Sequence, residues 1–219
     1  MRWQESLQKF WRNVKIFINK RILLVEAHPD DIVWGCGGTI AKLKEKNQFA
    51  SISFTTCNED PLNKGITEEN MKALNFLGVT EMKQKEFPRR TLFLHAQEVR
   101  DTLFELKLDY QPEVIFCNSP HDLHQDHAII GECCKTIFRD SATILAYEIP
   151  RSLGDFKPSC FVSLAKEEMK MKLKALSMFK TQYRRPYFKK KIVLANAIYQ
   201  GIQNNTQYAE AFEVIRWSM

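Results

Sequence analysis

The apolar run Ile22-Leu23-Leu24-Val25 constrains this chain more than any other stretch. Successive side chains of a strand point to opposite faces, so four adjacent apolar residues need cover on both sides. A central strand of a parallel sheet between helices meets that need. Residues 49–56, 114–117, 143–149 and 160–164 read as further strands. Helical stretches fall between them, at 39–46, 67–77, 95–108, 126–138 and 166–179. Alternation of this kind predicts an α/β fold, a mostly parallel sheet flanked by helices, with no internal repeat and no dividing linker.

Composition narrows the class. Among 219 residues, 44% are apolar and 26% charged, so the chain has the means to bury a core and is not a disordered one. No stretch approaches the roughly 20 apolar residues of a membrane span. The net charge is +6, yet residues 1–21 hold six basic groups against Glu5 alone. The body is nearly neutral, which argues against nucleic acid as a partner. Six cysteines without a C-x-x-C pair read as small buried hydrophobes in a reducing compartment, which predicts a cytoplasmic protein.

Residues 1–20 predict an amphipathic helix. Trp3, Leu7, Phe10, Val14 and Phe17 share one helical face, and most of the charge lies opposite. Such a face needs a cover. Its own domain, a sister subunit in a homo-oligomer, or peripheral contact with the inner face of a membrane would each supply one. The expected organisation is therefore an N-terminal helix over 1–20 and one domain over 21–219.

In a parallel sheet the ligand site lies beyond the carboxyl ends of the strands. Two unusual clusters fall there. His28-Pro29-Asp30-Asp31 follows the first strand, and His121 to His127 follows the strand ending at Cys117-Asn118. Four of the five histidines lie in these two segments. Imidazoles and carboxylates together form the ligand set of a catalytic zinc, with one position left for water. His124 and His127 are three apart, which places both on one side of a helical turn. Asp126 is available as an outer partner for an imidazole. Asp30 and Asp31 are adjacent and cannot point the same way, so one can bind metal while the other faces water. Gly35, Gly37 and Gly38 lack the spacing of a dinucleotide fingerprint and read instead as tight packing of a helix against the active-site loop.

The segment from Ala27 to Ile40, Ala-His-Pro-Asp-Asp-Ile-Val-Trp-Gly-Cys-Gly-Gly-Thr-Ile, resembles the first signature of the LmbE-like (PIG-L) de-N-acetylases. His124-Gln125-Asp126-His127 resembles their second motif, H-x-D-H. Residues 177–182 and Tyr208-Ala209-Glu210-Ala211-Phe212 are similar to two stretches of their C-terminal part. The resemblance implies a Rossmann-like fold and a zinc-dependent hydrolase that removes acetyl from an N-acetylglucosamine-type conjugate. It implies His28, Asp31 and His127 as Zn2+ ligands and Asp30 as general base. His124 would be the protonated group that stabilises the oxyanion, and Asp126 its orienting carboxylate. Family members carry an Arg in the loop after the second strand. Here residues 58–66 hold only Lys64 as a base, so Arg89, Arg90, Arg184 and Arg185 are the remaining groups for an acidic aglycone. A zinc amidase on a related thiol conjugate, and a non-catalytic carbohydrate-binding module, remain alternatives on sequence alone.

Overall fold

The computed structural model describes residues 17–151 and 154–218. Seven strands form one sheet: β1 (Arg21–Glu26), β2 (Gln48–Thr55), β3 (Glu81–Phe87), β4 (Val114–Asn118), β5 (Thr143–Tyr147), β6 (Cys160–Leu164) and β7 (Tyr208–Arg216). Their order is β3-β2-β1-β4-β5-β7-β6. The first five are parallel, and β7 runs antiparallel to both β5 and β6. Helices α1 (Asp31–Leu43), α2 (Ile66–Leu77), α3 (Ala96–Asp109), α4 (Gln125–Ile137), α5 (Lys166–Leu176) and α6 (Lys190–Gln203) connect and cover it.

Strand β1 shows why the sheet needs two layers of helix. Ile22 and Leu24 join one apolar cluster, with residues of α1, α2, α5 and α6. Leu23 and Val25 join a second, with residues of α3 and α4. All four are fully buried. Strand order reverses between β1 and β4, which is where an open α/β sheet leaves a crevice beyond its strand ends.

Four elements differ from the sequence reading. Strand β3, Glu-Met-Lys-Gln-Lys-Glu-Phe, has no apolar alternation to announce it; it is an edge strand carrying charge, a usual protection against stray pairing. Helix α6 and strand β7 were likewise not anticipated. Helix α1 begins at Asp31 rather than Thr39, so the glycines lie inside it, past a kink at Cys36 (φ −137°, ψ 19°). Gly35 and Gly38 pack against sheet side chains and Gly37 against helix side chains, not against the active-site loop. A Cβ on Gly35 would sit 2.4 Å from the Tyr147 ring, and one on Gly38 2.4 Å from Leu164.

The kink frees backbone amides that need acceptors. Glu210 of β7 supplies them: its carboxylate accepts from Gly38 N (2.9 Å), Thr39 N (2.6 Å) and Thr39 Oγ1 (2.6 Å). Lys172 of α5 completes the cluster at 2.6 Å, with both charged side chains only 3% exposed.

Residues 1–16 of the expected N-terminal helix lie outside the described residues. Its last turn is not helical. Phe17 to Asn19 form bends, Asn19 has φ 58°, and its N–H donates to Lys46 O instead of to a preceding turn. Phe17 packs edge-on to Phe116 and Trp217. The six cysteines are free thiols, five of them buried. No helix among the described residues is long and apolar enough to cross a membrane.

Candidate metal centre and active site

The end of β1 and the end of β4 bring both histidine clusters to one cleft. His28, Asp30, Asp31, His124 and His127 line it, with Cys57, Asn63, Leu123, Ile149, Tyr187 and several arginines, around a volume of about 300 Å³.

Three atoms converge at its base. His28 Nδ1 and His127 Nε2 are 3.0 Å apart. Asp31 Oδ2 lies 3.4 Å from the first and 3.3 Å from the second. Ligands at the usual zinc distances span a tetrahedral edge of roughly 3.3 Å. The outer nitrogen of each ring is already engaged. His28 Nε2 meets Asp126 Oδ2 at 3.0 Å, and His127 Nδ1 meets Asp122 Oδ2 at 2.9 Å. Each carboxylate holds the proton on the outer nitrogen and turns a bare lone pair inward, the usual second layer of a metal site. Two lone pairs and a carboxylate oxygen this close repel unless a cation or a proton lies between them. The titration of the groups carries the same message. Burial resists charge on His127, yet Asp31 and Asp122 outweigh it and lift the ring to about 10. Burial likewise opposes charge on Asp31, yet His127 and His28 hold it well below the carboxylate range. The three residues thus fit a divalent cation with one coordination position facing the cleft.

His28, His124 and His127 also converge, with one nitrogen of each within 4.8 Å of the others. His124 fits a different part. It is the N-cap of α4, and its Nδ1 accepts from Asp126 N at 3.2 Å. That bond leaves the proton on Nε2, so a neutral His124 remains a donor. Its backbone is held in turn by Asp122 Oδ1, which accepts from His124 N at 2.7 Å.

Asp126 departs from its expected role. Its side chain does not orient His124. It accepts from His28, from Arg90 N (2.6 Å) and from Leu92 N (3.2 Å). Burial first, then the neighbouring His28 and His127, push His124 down to about 4, while Asp126 and Asp31 act to raise it. Asp126→Ala is expected to weaken metal binding by roughly 10–100-fold. Competition against a chromophoric chelator measures it, and unchanged affinity would remove Asp126 from the support of His28.

Asp30 is held in a backbone conformation that L-residues rarely adopt (φ 154°, ψ −21°). The turn separates the two aspartates: Asp31 goes to the base, and Asp30 lines the cleft. Burial first, then the charges of Asp31 and Glu26, raise Asp30 well above the usual carboxylate range. A group that must take a proton at neutral pH needs such a shift.

Sequence reading did not find Asn118, Asp122 or Glu26. Asn118, the last residue of β4, accepts from Ala27 N and donates to Asp31 Oδ2 at 3.1 Å. Nothing in sequence spacing distinguishes it from any polar strand end. Glu26 is fully buried behind the aspartates, accepts from Ile32 N at 2.9 Å, and is pushed up to about 8 by burial and by Asp31. A carboxyl raised on folding favours the native state below its unfolded value near 4.5 and loses that contribution as pH rises toward 8. Glu26→Gln should therefore gain in relative stability from pH 5 to pH 8. Melting temperatures of both proteins across that range test it; parallel curves would show that Glu26 ionises normally. His121, by contrast, turns away to Glu213 at 2.9 Å.

Residues 23–138 match the PIG-L family model, described as GlcNAc-PI de-N-acetylase. The chain is 32% identical over 174 residues to the uncharacterized deacetylase YaiS of Escherichia coli, covering 74% of this chain and 93% of that protein. It is 24% identical to the diacetylchitobiose deacetylase of Thermococcus kodakarensis, over 90% of this chain and 83% of that one. The N,N'-diacetylchitobiose deacetylase of Pyrococcus horikoshii, solved with its inhibitor MPG, superimposes with a TM-score of 0.78 at 22% identity, over 96% of this chain and 92% of that one. At that identity the likeness concerns the fold.

Proposed function

Since the chain belongs to the PIG-L de-N-acetylase family, we propose that it is a zinc-dependent hydrolase that removes the acetyl group from an N-acetylglucosamine-type sugar. One observation carries the reading: His28 Nδ1, His127 Nε2 and Asp31 Oδ2 lie 3.0–3.4 Å apart, with the outer ring nitrogens fixed by carboxylates.

His28, Asp31 and His127 would hold the metal. Bound there, zinc supplies a Lewis acid that polarises the acetyl carbonyl and makes water acidic. Asp30 takes the proton from the attacking water, as its raised affinity for a proton suits it to do. His124 donates from Nε2 to the oxygen that gains charge as the carbonyl carbon becomes tetrahedral. The bond from Asp126 N–H to His124 Nδ1 at the helix N-terminus leaves the Nε2 proton for that donation. Asp30 then returns its proton to the amine nitrogen as the C–N bond breaks. Acetate and the free amino sugar result.

Protein purified without chelator should contain close to one equivalent of zinc. It should release acetate from N-acetylglucosamine conjugates, and dialysis against a chelator should abolish that release. Less than a tenth of an equivalent, with activity indifferent to chelator, would overturn the reading.

A further inference from the structure

Two helices on opposite layers of the sheet carry large apolar side chains outward. On α3, Phe104 and Leu108 are one turn apart, and Leu94 stands in the turn that leads into the helix. On α6, Ile192, Ala195, Ile198, Tyr199 and Ile202 fall on the side opposite the buried Val193, Ala197 and Gly201. Leu94, Phe104, Leu108, Ile198, Tyr199 and Ile202 are each 43–73% exposed. Apolar faces of this kind mark contact surfaces.

The charges around the two faces are opposite. Residues 169–209 contain no Asp or Glu, and Lys190 and Lys191 open α6, both exposed. Helix α3 exposes Glu98, Asp101, Glu105 and Asp109. Its own Lys107 is drawn away to Asp140 at 2.6 Å. Both sets also oppose the dipole of the helix that carries them. Ammonium groups are unfavourable at a helix N-terminus, and carboxylates such as Glu105 and Asp109 are unfavourable in a last turn. Among the described residues, none of Glu105, Asp109, Lys190 and Lys191 has an ion-pair partner.

We propose that α6 of one copy of this chain packs antiparallel on α3 of a second copy, apolar face to apolar face. That direction sets Lys190 and Lys191 beside Glu105 and Asp109 of the neighbour, and the positive end of one helix dipole beside the negative end of the other. A single copy cannot join its own two faces. Val193 and Ala197 of α6 belong to the cluster of Ile22 and Leu24, whereas Val99 and Leu103 of α3 belong to that of Leu23 and Val25, across the sheet. Each copy therefore gives α6 to one neighbour and α3 to another. Such a head-to-tail contact builds assemblies of three or more copies, rings where the rotation closes. An anionic membrane would answer α6 alone; it would repel α3 and leave Phe104 and Leu108 uncovered. The inference does not depend on the deacetylase reading.

Sedimentation velocity of the full chain at micromolar concentration tests it. The wild type should sediment as three or more copies, and less so at high salt. Two charge-reversed variants follow, Lys190→Glu with Lys191→Glu, and Glu105→Lys with Asp109→Lys. Each should weaken assembly about tenfold or more while far-UV circular dichroism stays that of the wild type. Mixed in equal amounts, the two variants should assemble again, because the reversed α6 of one meets the reversed α3 of the other. Recovery on mixing is a result that misfolded variants could not give. A monomeric wild type, or assembly indifferent to the charges of α3, would overturn the inference. So would capture of the wild type by phosphatidylglycerol vesicles that only the α6 variant loses, with no assembly in solution; α6 would then face lipid.

Discussion

Asp30→Asn is expected to lower kcat on an N-acetyl sugar by about 10²–10⁴-fold while the zinc content remains that of the wild type. An amide of the same shape cannot accept the proton of the attacking water. Asparagine tolerates unusual backbone angles about as well as aspartate, so the turn that separates positions 30 and 31 should persist. The acid limb of the pH–rate profile should change as well, because its shape depends on the same carboxylate. The neighbouring change gives the contrast. Asp31→Ala and His127→Ala should lose metal first and activity as a consequence, with partial recovery in excess zinc. A near-normal rate for Asp30→Asn at saturating zinc would mean that the proton goes elsewhere. Loss of zinc from that variant would make Asp30 a ligand and exchange the roles of the two aspartates.

The second large effect concerns stability. Glu210→Ala should destabilise the fold by about 3–5 kcal/mol, the usual result of removing one member of a buried ion pair. The change strands Lys172, which is almost wholly buried, and leaves the Gly38 and Thr39 amides without their acceptor. Urea denaturation followed by far-UV circular dichroism measures it. Adding Lys172→Met to Glu210→Ala should recover part of the loss, because it removes the unpaired charge. A loss below about 1 kcal/mol would show that water or another group replaces the carboxylate at little cost.

Much of the sheet was legible because β1, β4 and β5 are buried on both faces, and two-sided burial leaves largely continuous apolar runs; β2 is as buried, with Ser51 and Ser53 set between its apolar residues. Strand β3 lacked that mark. Its identity comes from pairing with β2 and from Gln84, whose amide donates to Ser53 O and Thr55 O, contacts no local pattern encodes. Strand β7 was visible only as a resemblance around Tyr208 to Phe212; its place between β5 and β6 depends on tertiary pairing. At the site, the types and spacings of His28, Asp30, Asp31, His124 and His127 drew attention to both loops. Partners were harder. Spacing makes Asp126 a neighbour of His124 along the chain, whereas the fold turns its carboxylate to His28. Asp122 stands five residues before the ring it orients, and Arg151 enters the cleft from beyond β5.

The grip of Asp126 on the amides of Arg90 and Leu92 has an implication for how such a cleft can diversify. The main chain at those two positions is committed to the metal centre, while the side chain at 90 is not. Substitutions that alter the charge or size of residue 90 can therefore accumulate, and with them new substrate preferences, without disturbing the catalytic core. Proline at 90 or 92 is another matter, since it deletes an N–H that Asp126 requires. Insertions between those positions would shift both amides at once. Variation among natural or engineered versions of this loop should thus appear in residue identity and hardly at all in length.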